Sequence, residues 1–503
     1  MTSNRKADEL IPTGASVSGT GLRTLQDVHA LLRDADPEGL LVPCEIRDIR
    51  LGPDAAEAVV DAVAECLPVD ADPAMAEVVM LVDETVIRRG ADDLKAMVEE
   101  QLRARFRVRR EVLSDGHSEL HVTEPVVETA TRAVVGAAVV VAVGGGTISD
   151  IAKLATGPSG QQGLVVVQTA ASVDGFTDNV SVLLRGGVKR TVPSRWPDLV
   201  IADAQVIAAA PAEMNRAGYG EMTSLFVAPA DWRLAGLVGL DQSFARGPIA
   251  ILEVVGRDID EWSAGIGRAD PAAVERLTWA LDVRGIATGV AGTTACLSGV
   301  EHLISHMLDL HHVARQLPMG LHGAQVGVAA VVAAAAWEMC MERLSAGSPG
   351  VEVGALDPTT AHARVEAAFS EVDPTGRIAA ECWNDYSRKL AACGENLARI
   401  EDVLRRWPDQ ESELRALLRP ASHLGSGLRA ASAAATFGEL EPSIGPDLAN
   451  WAVQNCHLMR NRFTVVDLLN LLGWWTPNDV VEVLQRASDA VSAPGRTDVG
   501  HVG

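Results

Sequence analysis

The sequence predicts two regions of different fold class: an N-terminal α/β region with a doubly wound, mostly parallel sheet, and an all-helical C-terminal region. Short, continuous apolar runs such as Val78–Val82 and Val139–Val143 are typical of strands buried on both faces. Segments with helical spacing, such as Asp54–Cys66 and Ala91–Arg105, alternate with these runs. Past Pro211 the strand signal nearly disappears and helical patterns dominate.

These patterns divide the chain into four parts. Residues 1–38 are polar, and we expect a poorly ordered extension, with helical spacing only around Leu25–Leu32. Residues 39–208 form the α/β region, residues 209–490 the helical region and residues 491–503 a disordered tail. Ligands of doubly wound sheets bind beyond the carboxyl ends of the strands, so we expect a site in the cleft between the two regions.

Composition excludes some classes of partner. The 503 residues include 67 acidic and 43 basic side chains, and the net charge of −24 disfavours nucleic acid and anionic membranes. The richest apolar stretch, Val326–Trp337, is shorter than the roughly 20 residues of a membrane span and predicts a buried helix. Seven cysteines without C-x-x-C spacing indicate reduced thiols. We therefore expect a cytoplasmic protein that acts on a small molecule, with no nucleic-acid partner and no membrane insertion.

A glycine-rich turn follows the strand at Val139–Val143. Gly144, Gly145 and Gly146 lead directly into a helical pattern, and Thr147 and Ser149 are expected to cap that helix. A helix N-terminus reached through glycines is a seat for a phosphate group, which indicates a nucleotide-using enzyme. The alternative is a tight turn without a ligand, because the common G-x-G-x-x-G pattern is absent.

A second group of residues has the chemistry of a metal site. His302 and His306 lie one helical turn apart, His322 follows twenty residues after His302, and Glu221 begins an earlier helical pattern. One carboxylate and two imidazoles can hold a divalent ion such as zinc and leave positions open for substrate. The alternatives are a polar helix face for the histidines and a capping or solvated carboxylate for Glu221.

The order of the motifs resembles one family. The segments are Gly144-Gly-Gly-Thr-Ile-Ser-Asp150-Ile-Ala-Lys153, Thr169-Ala-Ala-Ser172-Val-Asp174-Gly-Phe-Thr177, Ser298–His306 and Met459-Arg-Asn-Arg-Phe-Thr464. Together they resemble the sn-glycerol-1-phosphate dehydrogenases, which belong to the superfamily of iron-containing alcohol dehydrogenases and dehydroquinate synthases. The resemblance covers residues 40–345 and 425–475.

The resemblance implies a role for each motif. The glycine turn with Thr147 binds the dinucleotide pyrophosphate, with Asp150 nearby. Asp83, at the end of the second strand, accepts hydrogen bonds from the adenosine ribose. Thr169 and Ser172 contact the nicotinamide.

The resemblance also implies the other half of the site. Asp174 contacts the substrate, Glu221, His302 and His322 hold the metal, and His306 relays a proton or orients a ligand.

The implied activity is a metal-dependent NAD(P)H oxidoreductase. It interconverts dihydroxyacetone phosphate, or a related small hydroxy-ketone, with sn-glycerol 1-phosphate or the matching alcohol. The implied cofactors are NAD or NADP and one divalent metal, with zinc the first choice and nickel or iron the alternatives. A homo-oligomer is expected. Two other functions stay open: a cyclase like dehydroquinate synthase, which uses NAD catalytically, and a non-catalytic homologue.

Three departures from the family pattern concern the substrate pocket. Glu221 stands where these dehydrogenases usually have aspartate, Leu225-Phe226 replaces a basic residue, and Thr293–Cys296 replaces Asn-Ser-Arg-Pro. Two cations that suit a phosphate are thereby lost. Lys189, Arg190 and Arg195 remain as candidate phosphate ligands.

Overall fold

The computed structural model describes residues 21–117, 119–157, 162–185 and 188–492. The first 20 residues of the predicted extension and residues 493–503 of the predicted tail lie outside this range.

Six parallel strands form the central sheet, in the order β1-β10-β7-β6-β2-β5. Two antiparallel pairs, β3-β4 and β8-β9, lie outside it. The strands are β1 (Asp48–Gly52), β2 (Glu77–Val82), β3 (Arg88–Arg89), β4 (Asp92–Asp93), β5 (Arg107–Val112), β6 (Val139–Gly144), β7 (Gly163–Gln168), β8 (Val180–Arg185), β9 (Val188–Pro193) and β10 (Leu199–Asp203).

Helices cover both faces of this sheet. Along β2, Met80 and Val82 face one apolar core, whereas Val79 and Leu81 face another. Successive side chains of a strand point to opposite faces, so the runs predicted as doubly buried are buried in this way. The N-terminal helices are α1 (Leu25–Ala35), α2 (Val59–Glu65), α3 (Leu94–Arg103), α4 (Glu124–Ala133), α5 (Gly146–Thr156) and α6 (Ala204–Ala208).

From residue 204 onwards, the described residues contain helices and no strands. The predicted boundary at 208/209 falls directly after α6, and the fold class predicted from the sequence is confirmed. These helices are α7 (Ala212–Met222), α8 (Ala228–Leu237), α9 (Arg246–Gly256), α10 (Ile259–Gly267), α11 (Pro271–Ala291), α12 (Val300–Ala314), α13 (His322–Ala346), α14 (Pro358–Phe369), α15 (Arg377–Glu395), α16 (Leu397–Arg405), α17 (Trp407–Ala416), α18 (Ala421–Ala430), α19 (Pro446–Asn455), α20 (Val465–Leu471) and α21 (Pro477–Ser492).

Part of the predicted N-terminal extension is ordered, which corrects that expectation. Thr24 and Asp27 form a capping box that starts α1. Leu25, Val28 and Leu32 are buried in the core of the helical region. The helical spacing noted around Leu25–Leu32 corresponds to this amphipathic helix.

The β8-β9 hairpin is an element that the sequence analysis missed. Buried Lys153 on α5 pairs with Asp178 and donates a hydrogen bond to the Val180 carbonyl oxygen at 2.5 Å. Asp150 accepts a hydrogen bond from the Val182 amide at 3.0 Å. The hairpin is therefore anchored to α5, the helix that follows the glycine turn. The mixed polar and apolar sequence of the hairpin did not predict these contacts.

Helix α13 is long and apolar enough to cross a membrane by length and composition. However, 89% of its most apolar window is buried inside the fold, as in the core helix of a globular protein.

Helices α7 and α13 cross at glycines. A Cβ on Gly220 would lie 2.3 Å from the Gly323 carbonyl oxygen, and one on Gly323 would lie 2.2 Å from the Ala217 carbonyl oxygen. Both partners are backbone atoms, which cannot rotate away as a side chain can. The two helix axes therefore approach as closely as they do only because side chains are absent here.

We predict that Gly220→Ala separates the two helices and lowers the stability of the fold. The added methyl overpacks a backbone contact, and such changes typically cost about 1–3 kcal/mol. Thermal unfolding should show a lower midpoint for this variant. Gly394→Ala on α15 is the control, because its Cβ would meet nothing within 4 Å. Equal midpoints for the two variants would contradict the close-crossing argument.

Candidate active site

The helical region brings one carboxylate and two imidazoles together. Glu221 is the penultimate residue of α7, His302 lies in the first turn of α12, and His322 is the first residue of α13. Nε2 of His302 is 3.3 Å from Oε1 of Glu221, and Nε2 of His322 is 3.9 Å from Oε2. All three ligand atoms lie within 4.8 Å of one another.

This donor set fits a metal ion. Tetrahedral zinc, with bonds of about 2.0–2.2 Å, holds its ligand atoms roughly 3.4 Å apart, close to the two measured separations. Oε2 of Glu221 is buried and has no hydrogen-bond partner among the described residues. Buried polar atoms normally have partners, so this free oxygen fits a residue that would hold a cation. The extra methylene of glutamate does not prevent the carboxylate from reaching both imidazoles.

The tautomer of His302 is set by its neighbour Glu301. Nδ1 of His302 lies 2.8 Å from Oε1 of Glu301, a carboxylate that can only accept, so Nδ1 carries the proton. Burial would lower the pKa of His302, but hydrogen bonds to Glu221 and Glu301 outweigh it and raise that pKa to about 9. The ring is thus oriented with Nε2 towards Glu221, as a metal ligand requires.

The tautomer of His322 is set by a longer chain of hydrogen bonds. Asp309 accepts from Nε2 of Gln325 at 3.3 Å, which fixes the orientation of that amide. Oε1 of Gln325 then accepts from Ser305 at 2.7 Å, so the hydroxyl proton is used. Nδ1 of His322 lies 3.0 Å from the same hydroxyl oxygen and must be its donor. The lone pair of Nε2 is left facing Glu221.

Arg284 is a site residue that the sequence analysis missed. Its guanidinium is fully buried and donates to Oε1 of Glu221 at 2.8 Å and to Oδ2 of Asp174 at 3.1 Å. Burial alone would raise the pKa of Glu221, but Arg284 and the two imidazoles outweigh it and lower that pKa. The available signal was a charged residue in the otherwise uncharged run Val283–Val290 of α11.

His306, predicted to act on protons, lies next to the two histidine ligands. Its ring centroid is 6.3 Å from that of His302 and 5.9 Å from that of His322. Burial, followed by the nearby cationic groups, lowers the pKa of His306 well below its usual value. Its Nδ1 finds no hydrogen-bond partner in the described part of the chain.

At the glycine turn, close approach rather than backbone conformation requires glycine. A Cβ on Gly144 would lie 2.8 Å from the side chain of Ile148, and one on Gly146 would lie 2.9 Å from the side chain of Val173. A Cβ on Gly145 would meet nothing within 4 Å. The open face at Gly145 is where a ligand can reach the N-terminus of α5.

Neither Thr147 nor Ser149 caps this helix, which corrects the sequence-based expectation. The N-cap residue is Gly145, and no side chain caps it. Both predicted capping residues lie inside the helix instead, beyond the position that a cap occupies.

Two predicted cofactor contacts are engaged with protein groups. Asp83 follows β2, where Lys95 and Thr85 donate to its carboxylate oxygens. Asp150 pairs with Lys153 at 3.1 Å and accepts from the hairpin amide described above. Asp150 therefore anchors the hairpin, and its predicted contact with a cofactor stays untested.

The loop after β7 joins the two halves of the site. Thr169 and Ser172 are buried there, and a Cβ on Gly218 of α7 would lie 1.8 Å from the Ala171 carbonyl oxygen. Three residues after Gly218 comes Glu221. The segment predicted to contact nicotinamide is thus packed against the helix that carries the carboxylate ligand.

The structure shows where the residues that depart from the family pattern lie, and which cations are near them. Leu225 and Phe226 are buried in the helical core. Arg462 donates to the Ser298 carbonyl oxygen and to Oγ1 of Thr294, the latter at 2.6 Å. Arg195 pairs with Asp198 at 2.8 Å and donates to the Gln162 carbonyl oxygen.

Curated relatives share part of the sequence. A glycerol-1-phosphate dehydrogenase (NAD(P)+) from Haloquadratum walsbyi is 34% identical over 225 residues, which are 44% of this chain and 62% of that protein. Another, from Bacillus velezensis, is 32% identical over 211 residues, 41% of this chain and 52% of that protein. The chain therefore spans little more than half the length of the curated relatives it matches.

A family model described as iron-containing alcohol dehydrogenase matches residues 57–211, which form most of the α/β region. Over these residues the chain is similar to the iron-containing alcohol dehydrogenases, and over part of its length to curated glycerol-1-phosphate dehydrogenases. The family prediction made from the motifs is therefore confirmed at this level.

Solved structures of the superfamily share the fold over most of the chain. A probable glycerol dehydrogenase from Sinorhizobium meliloti has a TM-score of 0.53 at 15% identity, covering 89% of this chain and 98% of that one. A maleylacetate reductase from Agrobacterium tumefaciens has a TM-score of 0.51 at 16% identity, covering 90% and 99%. At such identities the likeness concerns the fold alone.

Within this superfamily fold, we predict that Ser305→Ala weakens zinc binding by about 10- to 100-fold, the typical effect of losing a hydrogen bond to a ligating histidine. Without the hydroxyl, Nδ1 of His322 loses the partner that fixes its tautomer. Calorimetric titration of the metal-free protein would measure the affinity.

His302→Ala is the reference for this titration and should abolish tight binding, whereas Ser263→Ala on α10 should leave it unchanged. Tight binding that survives in His302→Ala would contradict the assignment of the ligands.

Proposed function

We propose that this chain is a metal-dependent NAD(P)H oxidoreductase. It interconverts a small hydroxy-ketone, dihydroxyacetone phosphate or a related compound, with sn-glycerol 1-phosphate or the matching alcohol. The observation that carries the proposal is the chain of contacts, through Val173, Asp174 and Arg284, that links the glycine turn to the cluster of Glu221, His302 and His322. The names of the curated relatives, which are glycerol-1-phosphate dehydrogenases, support the same class of reaction.

The contact runs through three residues. Gly146 of the glycine turn packs against Val173. The next residue, Asp174, pairs with Arg284 at 3.1 Å, and Arg284 pairs with Glu221 at 2.8 Å. Gly145 would hold the pyrophosphate of a dinucleotide, and Thr169 and Ser172 would contact its nicotinamide.

Glu221, His302 and His322 would hold the divalent ion, for which zinc is our first choice and nickel or iron the alternatives. When bound, such an ion supplies Lewis-acid polarisation of a substrate oxygen. Arg284 holds the carboxylate and Asp174 in fixed positions, so Asp174 presents its exposed edge to the substrate. Glu221 and His302 are buried, whereas the His322 side chain is 27% exposed, so the cluster is open to a substrate on the His322 side.

His306 is proposed to move the proton. Hydride addition to a ketone carbon leaves negative charge on its oxygen, which must gain a proton to become a hydroxyl. His306 is one helical turn from His302 and carries a ring nitrogen without a partner among the described residues. Its neutral imidazole accepts a proton from solvent at one nitrogen and delivers one at the other.

We predict that NADH absorbance falls when the metal-loaded protein is mixed with a small hydroxy-ketone. Zinc, nickel and iron(II) would be compared on dihydroxyacetone phosphate and dihydroxyacetone. His306→Ala should lower kcat by at least about a hundredfold, the usual contribution of a proton-transfer group. His311→Ala, on the same helix but outside the cluster, should retain activity. If no metal supports turnover of either ketone, this proposal is wrong.

A cyclase resembling dehydroquinate synthase is the second candidate, because the first ligand is Glu221 and the dehydrogenases usually have aspartate there. Such an enzyme reduces NAD and reoxidises it within one cycle. It consumes no net NADH, so the same absorbance experiment separates the two functions. A non-catalytic homologue predicts nucleotide binding without turnover of any kind.

For the cofactor, we propose that both NAD and NADP are accepted. Asp83 alone would repel the 2′-phosphate of NADP. The buried ammonium group of Lys95 pairs with that carboxylate and offsets its charge.

We predict that Lys95→Met shifts preference towards NADH, because Asp83 then keeps its full negative charge. Asp83→Asn should shift it towards NADPH. The measurement is the ratio of kcat/KM for the two cofactors, which does not depend on the fraction of folded protein. A ratio that stays constant in both variants would place the adenosine ribose elsewhere.

The other expectations from the sequence stay proposals: the division at residues 38, 208 and 490, the cytoplasmic location and the homo-oligomer. Free thiols at all seven cysteines support a reducing compartment.

A further inference from the structure

A pocket lies next to His306 and contains Lys189, one of the cations that the sequence left as candidate phosphate ligands. Its lining residues come from β9, α12 and the segment before α20: Lys189, His306, Asp309, Leu310, Val313, Met459 and Arg460. Arg190, beside Lys189 on β9, reaches the same carboxylate as Arg460.

Lys189 forms an ion pair with a buried carboxylate. Its Nζ lies 2.6 Å from Oδ2 of Asp309, which is 4% exposed. The other oxygen of Asp309 accepts from Gln325, in the chain of hydrogen bonds that orients His322. Moving Lys189 towards a bound phosphate would leave Asp309 buried without a counter-charge, which is strongly unfavourable.

Arg190 and Arg460 interact with carboxylates of α15. Glu381 and Asp385 lie one turn apart on this helix, so both face the β9 strand. Arg190 pairs with Glu381 and lies 3.4 Å from Asp385, and Arg460 lies 3.7 Å from Asp385. Arg460 also donates to the Lys189 carbonyl oxygen at 2.9 Å.

Each cation around the pocket therefore has a carboxylate partner before any substrate enters. Lys189, Arg190 and Arg460 pair with Asp309, Glu381 and Asp385, and the exposed Arg388 also pairs with Asp385. A phosphate dianion would have to compete with each carboxylate for its partner and would also be repelled by it. A neutral hydroxy-ketone meets no such penalty, because hydroxyl groups bond to either member of an ion pair.

We infer that Glu381 and Asp385 are specificity-determining residues that exclude phosphorylated substrates. The inference rests on the proposed function and selects from it the unphosphorylated small hydroxy-ketone and its alcohol. Both residues belong to α15, which lies outside the two stretches where the sequence resembles the phosphate-using family. Glu381 and Asp385 on this helix neutralise Arg190 and Arg460, the cations that a bound phosphate would otherwise neutralise.

Kinetics with paired substrates test the inference. Wild-type protein should favour dihydroxyacetone over dihydroxyacetone phosphate in kcat/KM. The Glu381→Gln/Asp385→Asn double variant should shift this ratio towards the phosphorylated ketone by about tenfold or more, as expected for one gained hydrogen bond to a charged group. Glu395→Gln, an exposed position on the same helix, is the matched control and should keep the wild-type ratio.

Two kinetic outcomes would overturn the inference. One is a wild-type preference for the phosphorylated ketone, and the other is a ratio that does not change in the double variant. If phosphate-dependent activity is present and is lost in Arg462→Met, the phosphate instead binds near Thr294, where Arg462 lies.

Phosphate binding gives a readout that needs no turnover. With saturating NADH present to fill the glycine turn, inorganic phosphate would be titrated by calorimetry into the zinc-loaded wild type and double variant. Only the double variant should bind. Saturable binding to the wild type would overturn the inference, even if no ketone is reduced. Conversely, absent turnover with the expected phosphate result would refute the proposed function and leave standing only the exclusion of phosphate by Glu381 and Asp385.

Discussion

The buried carboxylate of Glu221 is the constraint around which the site is built. A negative charge that is 2% exposed is stable only if cations and hydrogen-bond donors surround it. Arg284 pairs with one carboxylate oxygen of Glu221, and the imidazoles of His302 and His322 face its two oxygens. Each of these partners comes from a different helix, so α7, α11, α12 and α13 must converge on one point. The glycine crossing of α7 and α13 makes that convergence possible, because backbone meets backbone there.

The same carboxylate explains why the two regions act together. Arg284 extends from Glu221 to Asp174, which belongs to the loop after β7 and follows the residue packed on the glycine turn. One buried guanidinium thus connects the N-terminus of α5 to the helical region. A dinucleotide and a metal would be held by different regions, yet the groups that position them are linked by two ion pairs.

Sequence patterns predicted the parts of this arrangement that depend on local order. The doubly buried strands, the glycine turn and the helical spacing of His302 and His306 all have a local signature. The Ser305–Gln325 pair has none, and Arg284 shows only a charge in an uncharged run of α11, because their roles arise only when α11, α12 and α13 pack together. Likewise, Lys189 and Arg190 read as free cations in the sequence. Their carboxylate partners lie more than a hundred residues away, on α12 and α15.

The hydrogen-bond chain from Lys189 to His322 has an evolutionary consequence. Asp309, Gln325 and Ser305 connect a residue of the substrate pocket to a metal ligand without a break. A mutation that adapts Lys189 to a new substrate also changes how firmly His322 is held. Under the proposed function, substrate range and metal retention are therefore linked traits. Divergence at the pocket should be accompanied by compensating changes at the three linking positions.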